Sequence, residues 1–102
     1  MNYTGAMIEV RQTAEFSDWL HRLKDVDAFA RIAARLRRLE RGNPGDIRSV
    51  GKGVMEMRID YGPGYRVYYV RRGAAIVILL CAGDKRTQTR EIKRAQDLAA
   101  RQ

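Results

Sequence analysis

The 102-residue chain has one cysteine, one histidine and two prolines, and each scarcity removes a class of chemistry. Cys81 alone can form no internal disulfide, which suits a reducing cytoplasm. Placed at the end of an apolar run, it reads as a buried structural thiol rather than a nucleophile. His21 alone excludes a ribonuclease mechanism built on two histidines. No Cys/His spacing suits zinc and no carboxylate cluster suits two metals, so no metal site is expected. Nothing resembles a P-loop or a dinucleotide fingerprint, so no cofactor is expected either. The longest apolar run, Ala74–Ala82, falls far short of the roughly 20 residues that span a bilayer. The opening "MNYTGAMIEV" lacks a charged stretch followed by an apolar one, so no signal peptide is expected. Met7 offers a second start, leaving residues 1–6 as a short extension of one domain spanning 1–102.

Positive charge, in contrast, is abundant. The net charge is +8, and it is unevenly placed. Residues 1–50 hold nine Lys/Arg against seven Asp/Glu, whereas residues 51–102 hold eleven against five. A basic C-terminal half points to a polyanion or an acidic partner. Sixteen of the twenty cations are arginine, the residue suited to planar recognition of phosphate or carboxylate.

"MIEVRQT" alternates and reads as a strand over 7–12. In "TAEFSDWLHRLKD", Phe16, Trp19, Leu20 and Leu23 form one apolar helical stripe. Asp25 or Asp27 can cap a second helix carrying Phe29, Ile32, Ala33, Leu36 and Leu39 inward. Arg31, Arg35 and Arg38 then form a row that reads mainly as a solvated face. "GNPGD" (42–46) is a loop by its punctuation. Strands follow at about 47–50, 54–61, 65–72 and 75–82, and "QTREIKRAQDLAAR" returns to a helix with Ile92, Ala95, Leu98 and Ala99 inward. The expected fold is α+β, with helices on one face of a four- to five-stranded, mainly antiparallel sheet.

"VMEMRIDY" and "YRVYYVRR" flank Gly62, Pro63 and Gly64. A three-residue loop would pair Tyr61 with Tyr65, Ile59 with Val67 and Met57 with Tyr69 on the helix side. It would pair Asp60 with Arg66, Arg58 with Tyr68 and Glu56 with Val70 on the other. That second face is a candidate phosphate-and-base surface, since arginine binds phosphate through parallel hydrogen bonds and tyrosine stacks on bases.

RNA carries its own nucleophile, the 2′-hydroxyl, so a protein can cleave it by alignment, charge neutralisation and proton transfer. Arg58 and Arg66 suit charge stabilisation, and Lys85, crowded by them, suits proton transfer. Glu56 is the alternative base. Tyr68, Asp84, Arg86 and Gln88 complete the set as RNA-binding candidates. In "CAGDKRTQTREIKRAQ", Gly83 is expected to turn the chain sharply, Asp84 to cap the following segment, and Lys85 to project beside Arg58 and Arg66.

The series "FSDWLHRLKD", "ARIAARLRRLERGNPGDIRSVGKGVMEMRIDYGPGYRVYYVRR" and "CAGDKRTQTREIKRAQDLA" resembles the RelE/ParE toxin superfamily, and within it the HigB-like "addiction module killer protein" branch. The resemblance runs from about Met7 to Ala99 and rests on "GNPGD", "GVMEMRIDYGPGYRVYY" and "GDKRTQ" together. It implies a cytoplasmic toxin of RelE-like fold, with two N-terminal helices on a sheet and a C-terminal helix. A cognate helix-turn-helix antitoxin from the adjacent gene is implied as partner, with operator DNA reached only through it. RelE-like members cut mRNA on the ribosome, and by position Arg58, Arg66 and Asp84–Lys85 match their functional groups. Lys85 stands where many active members carry Tyr or His. ParE-like members share the fold and inhibit DNA gyrase, which gives the alternative reading, with a non-catalytic basic RNA-binding module as a third.

Overall fold

The computed structural model describes residues 7–102 and holds five strands and three helices; the expected extension, residues 1–6, lies outside the described residues. The order is β1 (Glu9–Gln12), α1 (Ala14–His21), α2 (Val26–Glu40), β2 (Ile47–Ser49), β3 (Val54–Ile59), β4 (Tyr65–Arg72) and β5 (Ile76–Asp84). A single 3-10 turn (Lys85–Thr87) then leads into α3 (Gln88–Ala99). The strands form one sheet in the order β1-β5-β4-β3-β2, with β1 parallel to β5 and every other pair antiparallel. This is the expected α+β fold. Among the described residues, no helix is long and apolar enough to cross a membrane.

Local chemistry sets the helix starts. The Thr13 hydroxyl accepts the Phe16 N–H at 3.0 Å and donates to the Leu80 carbonyl at 2.7 Å, so one side chain caps α1 and ties it to β5. Asp25, one of two expected caps, accepts the Ala28 N–H at 3.1 Å. Phe16 of α1 and Ile32 and Leu39 of α2 pack on Met57, Val67 and Leu79. The arrangement corrects the sequence reading in two places. Phe29 is 43% exposed, because Ala28 takes the inward position on α2. The helices also do not share a face: Ala95, Leu98 and Ala99 of α3 pack on Val54, Tyr68, Val70 and Leu80, on the opposite side of the sheet. The sheet is therefore sandwiched over part of its length.

The hairpin register differs by two residues from the expected one. Ile59 pairs with Tyr65, Arg58 with Arg66, Met57 with Val67 and Glu56 with Tyr68. Residues 60–64 form the loop, because Tyr61 leaves the ladder. Its hydroxyl donates to Asp25 at 3.3 Å and its ring carries the Arg31 guanidinium 4.4 Å from its centre. A shift of two keeps every side chain on its face, so Met57 and Ile59 remain buried and Arg58 remains on the other side. Between β4 and β5 a bulge intervenes: Tyr68 pairs with Cys81 and Tyr69 with Leu79, leaving Leu80 as the extra residue. Leu80 and Cys81 both join the core under α3, and Cys81 is buried as expected.

Candidate functional site

Because α3 covers only part of its face, the hairpin end of that face is open. An open cleft of about 500 Å³ lies there, bordered by Arg58, Arg66 and Lys85, by Asp46 and Asp60, and by the Gly62–Gly64 turn. Arg58 and Arg66 are direct cross-strand partners, an arrangement that is destabilising for like charges. Their Nε atoms are buried without a hydrogen-bond partner among the described residues. Arg66 is steadied by its own loop, donating through Nη1 to the carbonyls of Gly64 at 3.2 Å and Tyr65 at 3.3 Å. Gly64 has φ +81°, and a Cβ there would lie 3.4 Å from Arg66 Nη1 and 3.5 Å from Lys85 Cβ. That glycine thus brings the hairpin loop between the two cations.

The segment after β5 departs from the expected sharp turn. Gly83 lies inside the strand, opposite Arg66. Its need for glycine is steric, since a Cβ would stand 2.5 Å from Thr87 Oγ1 and 2.8 Å from Glu91 Cγ. Asp84 does cap, as expected. Its carboxylate accepts the Arg86 N–H at 2.9 Å, while the Thr87 hydroxyl accepts the Asp84 N–H at 3.2 Å. The Arg86 guanidinium, at 3.1 Å, is the main cause holding the Asp84 carboxyl below its ordinary range. Lys85 is left exposed at the rim of the cleft, and Arg86, also exposed, pairs with Asp84.

Five expected site residues do not line the cleft: Asp84 and Arg86 pair with each other, and Tyr68, Glu56 and Gln88 join one hydrogen-bonded group. Tyr68 is 0% exposed beneath α3 and presents no ring face to a base. Glu56 is also 0% exposed, and its carboxylate accepts from Arg48 Nε at 2.8 Å, Tyr68 Oη at 2.9 Å and Gln88 Nε2 at 2.9 Å. Burial pushes the Glu56 carboxyl up, but these three donors together hold it below its ordinary value. The Tyr68 hydroxyl is driven up, first by burial and then by Glu56. Glu56 is thus no free base and the Gln88 amide is committed inward. The network instead fastens the first residue of α3 to β3, which fixes where the turn bearing Lys85 can sit.

Two residues escaped the sequence reading. Arg35 is not on a solvated row: it donates to the Arg58 carbonyl at 2.6 Å and to the Pro44 carbonyl at 2.9 Å. Its position was readable, since it falls between Ile32 and Leu39 at core spacing. The loop it grips delivers Asp46, whose Oδ1 accepts from Arg58 Nη2 at 2.9 Å. This hydrogen bond holds the Asp46 carboxyl below its ordinary range.

The cleft gathers cations and two carboxylates on one rigid sheet end, an arrangement suited to binding an anion and moving a proton. Comparison with known proteins adds an uncharacterized protein of Haemophilus influenzae, 51% identical over 92 residues that cover 90% of this chain and 93% of that one. The family model described as "Phage derived protein Gp49-like (DUF891)" matches residues 18–102, which include every residue of the cleft. The chain belongs to the Gp49-like family.

Proposed function

We propose that this protein is the toxin of a type II toxin–antitoxin pair and a metal-independent, ribosome-dependent mRNA endonuclease. The Gp49-like family is associated with toxin–antitoxin systems, which supports the toxin role and a cognate antitoxin. The observation that carries the endonuclease reading is the facing Arg58–Arg66 pair with Lys85 at its rim. Two cations held opposite one another, with unpaired Nε atoms, are explained by an anion that sits between them.

In this reading the RNA 2′-hydroxyl attacks the adjacent phosphorus and the 5′-oxygen leaves, producing a 2′,3′-cyclic phosphate. Arg58 and Arg66 stabilise the charge that builds on the phosphoryl oxygens. Asp60, exposed in the cleft, takes the 2′-hydroxyl proton, and Lys85 gives a proton to the departing oxygen. Glu56, Tyr68 and Gln88 act only by positioning the turn. The site of action is the cytoplasm, and operator DNA is met through the antitoxin.

A pulse of expression, followed by separate measurements of protein synthesis, mRNA integrity and plasmid supercoiling, tests the reading. Arrested translation with cleaved mRNA is expected. Intact mRNA with altered supercoiling or DNA damage would favour the ParE-like inhibition of gyrase instead.

A further inference from the structure

The loop "GNPGD" is built with more care than a connection requires, and what it delivers is a carboxylate on a cleft arginine. Arg35 reaches from α2 to hold the Pro44 carbonyl at 2.9 Å and the Asp46 carbonyl at 3.4 Å, while the Arg58 N–H donates to the Asp46 carbonyl at 2.9 Å. Gly45 has φ +75°, and a Cβ there would lie 2.8 Å from Arg35 Nη2. Glycine is therefore favoured by the backbone conformation, and a side chain there would push the Arg35 guanidinium off its carbonyls. The backbone of Asp46 is thus fixed against β3, and only its side chain extends over the cleft.

We propose that Asp46 is an internal competitor for the anion this cleft takes, parking Arg58 until a phosphate displaces it. The inference rests on reading the cleft as a phosphate site. Three observations support it. The Asp46 carboxylate occupies Arg58 Nη2, one of the two nitrogens of the side-on edge that would grip a phosphate in a bidentate manner, and the other nitrogen, Nε, is buried and unpaired. The parked arginine therefore leaves donor capacity unused. The ion pair is also half-exposed, with 39% of the Arg58 side chain and 58% of that of Asp46 open to solvent, and such pairs are weak. A phosphate that meets Arg66 and Lys85 as well as Arg58 can outcompete a carboxylate held by a single contact. Finally, Asp46 contributes negative charge to the very cleft where an anion would dock, so its repulsion and its hold on Arg58 act in the same direction.

The consequence is a site that discriminates: anions that meet only one cleft cation leave Arg58 parked, and only a ligand that also meets Arg66 replaces the carboxylate and engages both arginines. The opposite role, Asp46 as an aid that orients Arg58 towards its ligand, predicts the reverse effect on binding.

Titration with inorganic phosphate, followed by NMR of the arginine Nε–H groups, decides between them. Asp46→Asn keeps the oxygen acceptor and the backbone contacts but removes the charge. Asp46→Ser removes the charge without the amide, guarding against a distortion peculiar to one variant. Both should bind phosphate about twofold to fivefold more tightly than the natural chain, the range set by a half-exposed ion pair. Arg66→Ala should bind it far more weakly. Unchanged or weaker binding in both Asp46 variants, with Arg66→Ala still defective, overturns the competitor role and leaves the phosphate site standing. No saturable binding in any variant overturns both.

Discussion

The two ends of one sheet face each carry a facing pair of polar residues, and the pairs meet opposite fates. At the covered end, Glu56 and Tyr68 face each other across β3 and β4 beneath α3, fully buried and joined by a hydrogen bond of 2.9 Å. Two residues further along the hairpin, Arg58 and Arg66 face each other with no helix above them. The covered pair is satisfied: every donor to the Glu56 carboxylate is in place. The open pair repels and leaves nitrogens unpaired. Polar groups that complement each other hold a structure together, whereas polar groups that do not are waiting for something else.

The sharpest way to break this contrast is to remove the open end. Arg66→Ala and Lys85→Ala should each lower the rate of mRNA cleavage by about 10²–10³. Both variants should remain folded, with Lys85→Ala within about 0.5 kcal/mol of the natural chain. Growth arrest on expression, with thermal unfolding as a control, reads both quantities, and full toxicity in both variants would refute the site.

Gly83→Ala attacks the junction between the two ends. The new methyl would overlap Thr87 and Glu91, displace the start of α3, and cost about 1–3 kcal/mol in denaturant unfolding. Toxicity should fall with it, because the turn bearing Lys85 moves.

Loosening the covered end gives the smaller effect. Tyr68→Phe removes one of the three donors to Glu56 and should cost about 1–2 kcal/mol at neutral pH. Its pH signature is specific. The Glu56 carboxyl titrates below its ordinary 4.5 in the fold, so its stabilisation is fully present above that value and is lost as pH falls through the lower folded one. Tyr68→Phe should raise the folded value, so stability is lost at a higher pH during acid titration. An unchanged acid limb would show that the Tyr68 contact does not hold the carboxyl down.

What the sequence revealed, and what it hid, follows from the same two ends. Alternation along "VMEMRIDY" and "YRVYYVRR" tells which side chains share a face, and it placed Arg58 and Arg66 together correctly. It is blind to a shift of two, so it does not report that Tyr61 leaves the ladder for Asp25 and Arg31 and moves every partner by two. Nor does alternation say how far a distant helix extends over a face. Tyr68 and Glu56 looked like Arg58 and Arg66 for that reason, and only the reach of α3 separates them. In Gly83, Asp84 and Lys85, the cap was legible from residue type, but the steric demand on Gly83 depends on a contact with α3 that no local pattern reports.

The facing arginines have a thermodynamic consequence for the whole chain. Repulsion between them is relieved by any multivalent anion that fills the cleft, so ligand occupancy and folding are linked functions. A free molecule relieves that repulsion only through the exposed Asp46 contact on Arg58, whereas an occupied one relieves it at both arginines. Unfolding temperature should therefore climb with the logarithm of phosphate or RNA concentration once the site begins to saturate, and replacing either arginine should flatten the slope. The lifetime of the folded chain is in this sense set partly by what it holds.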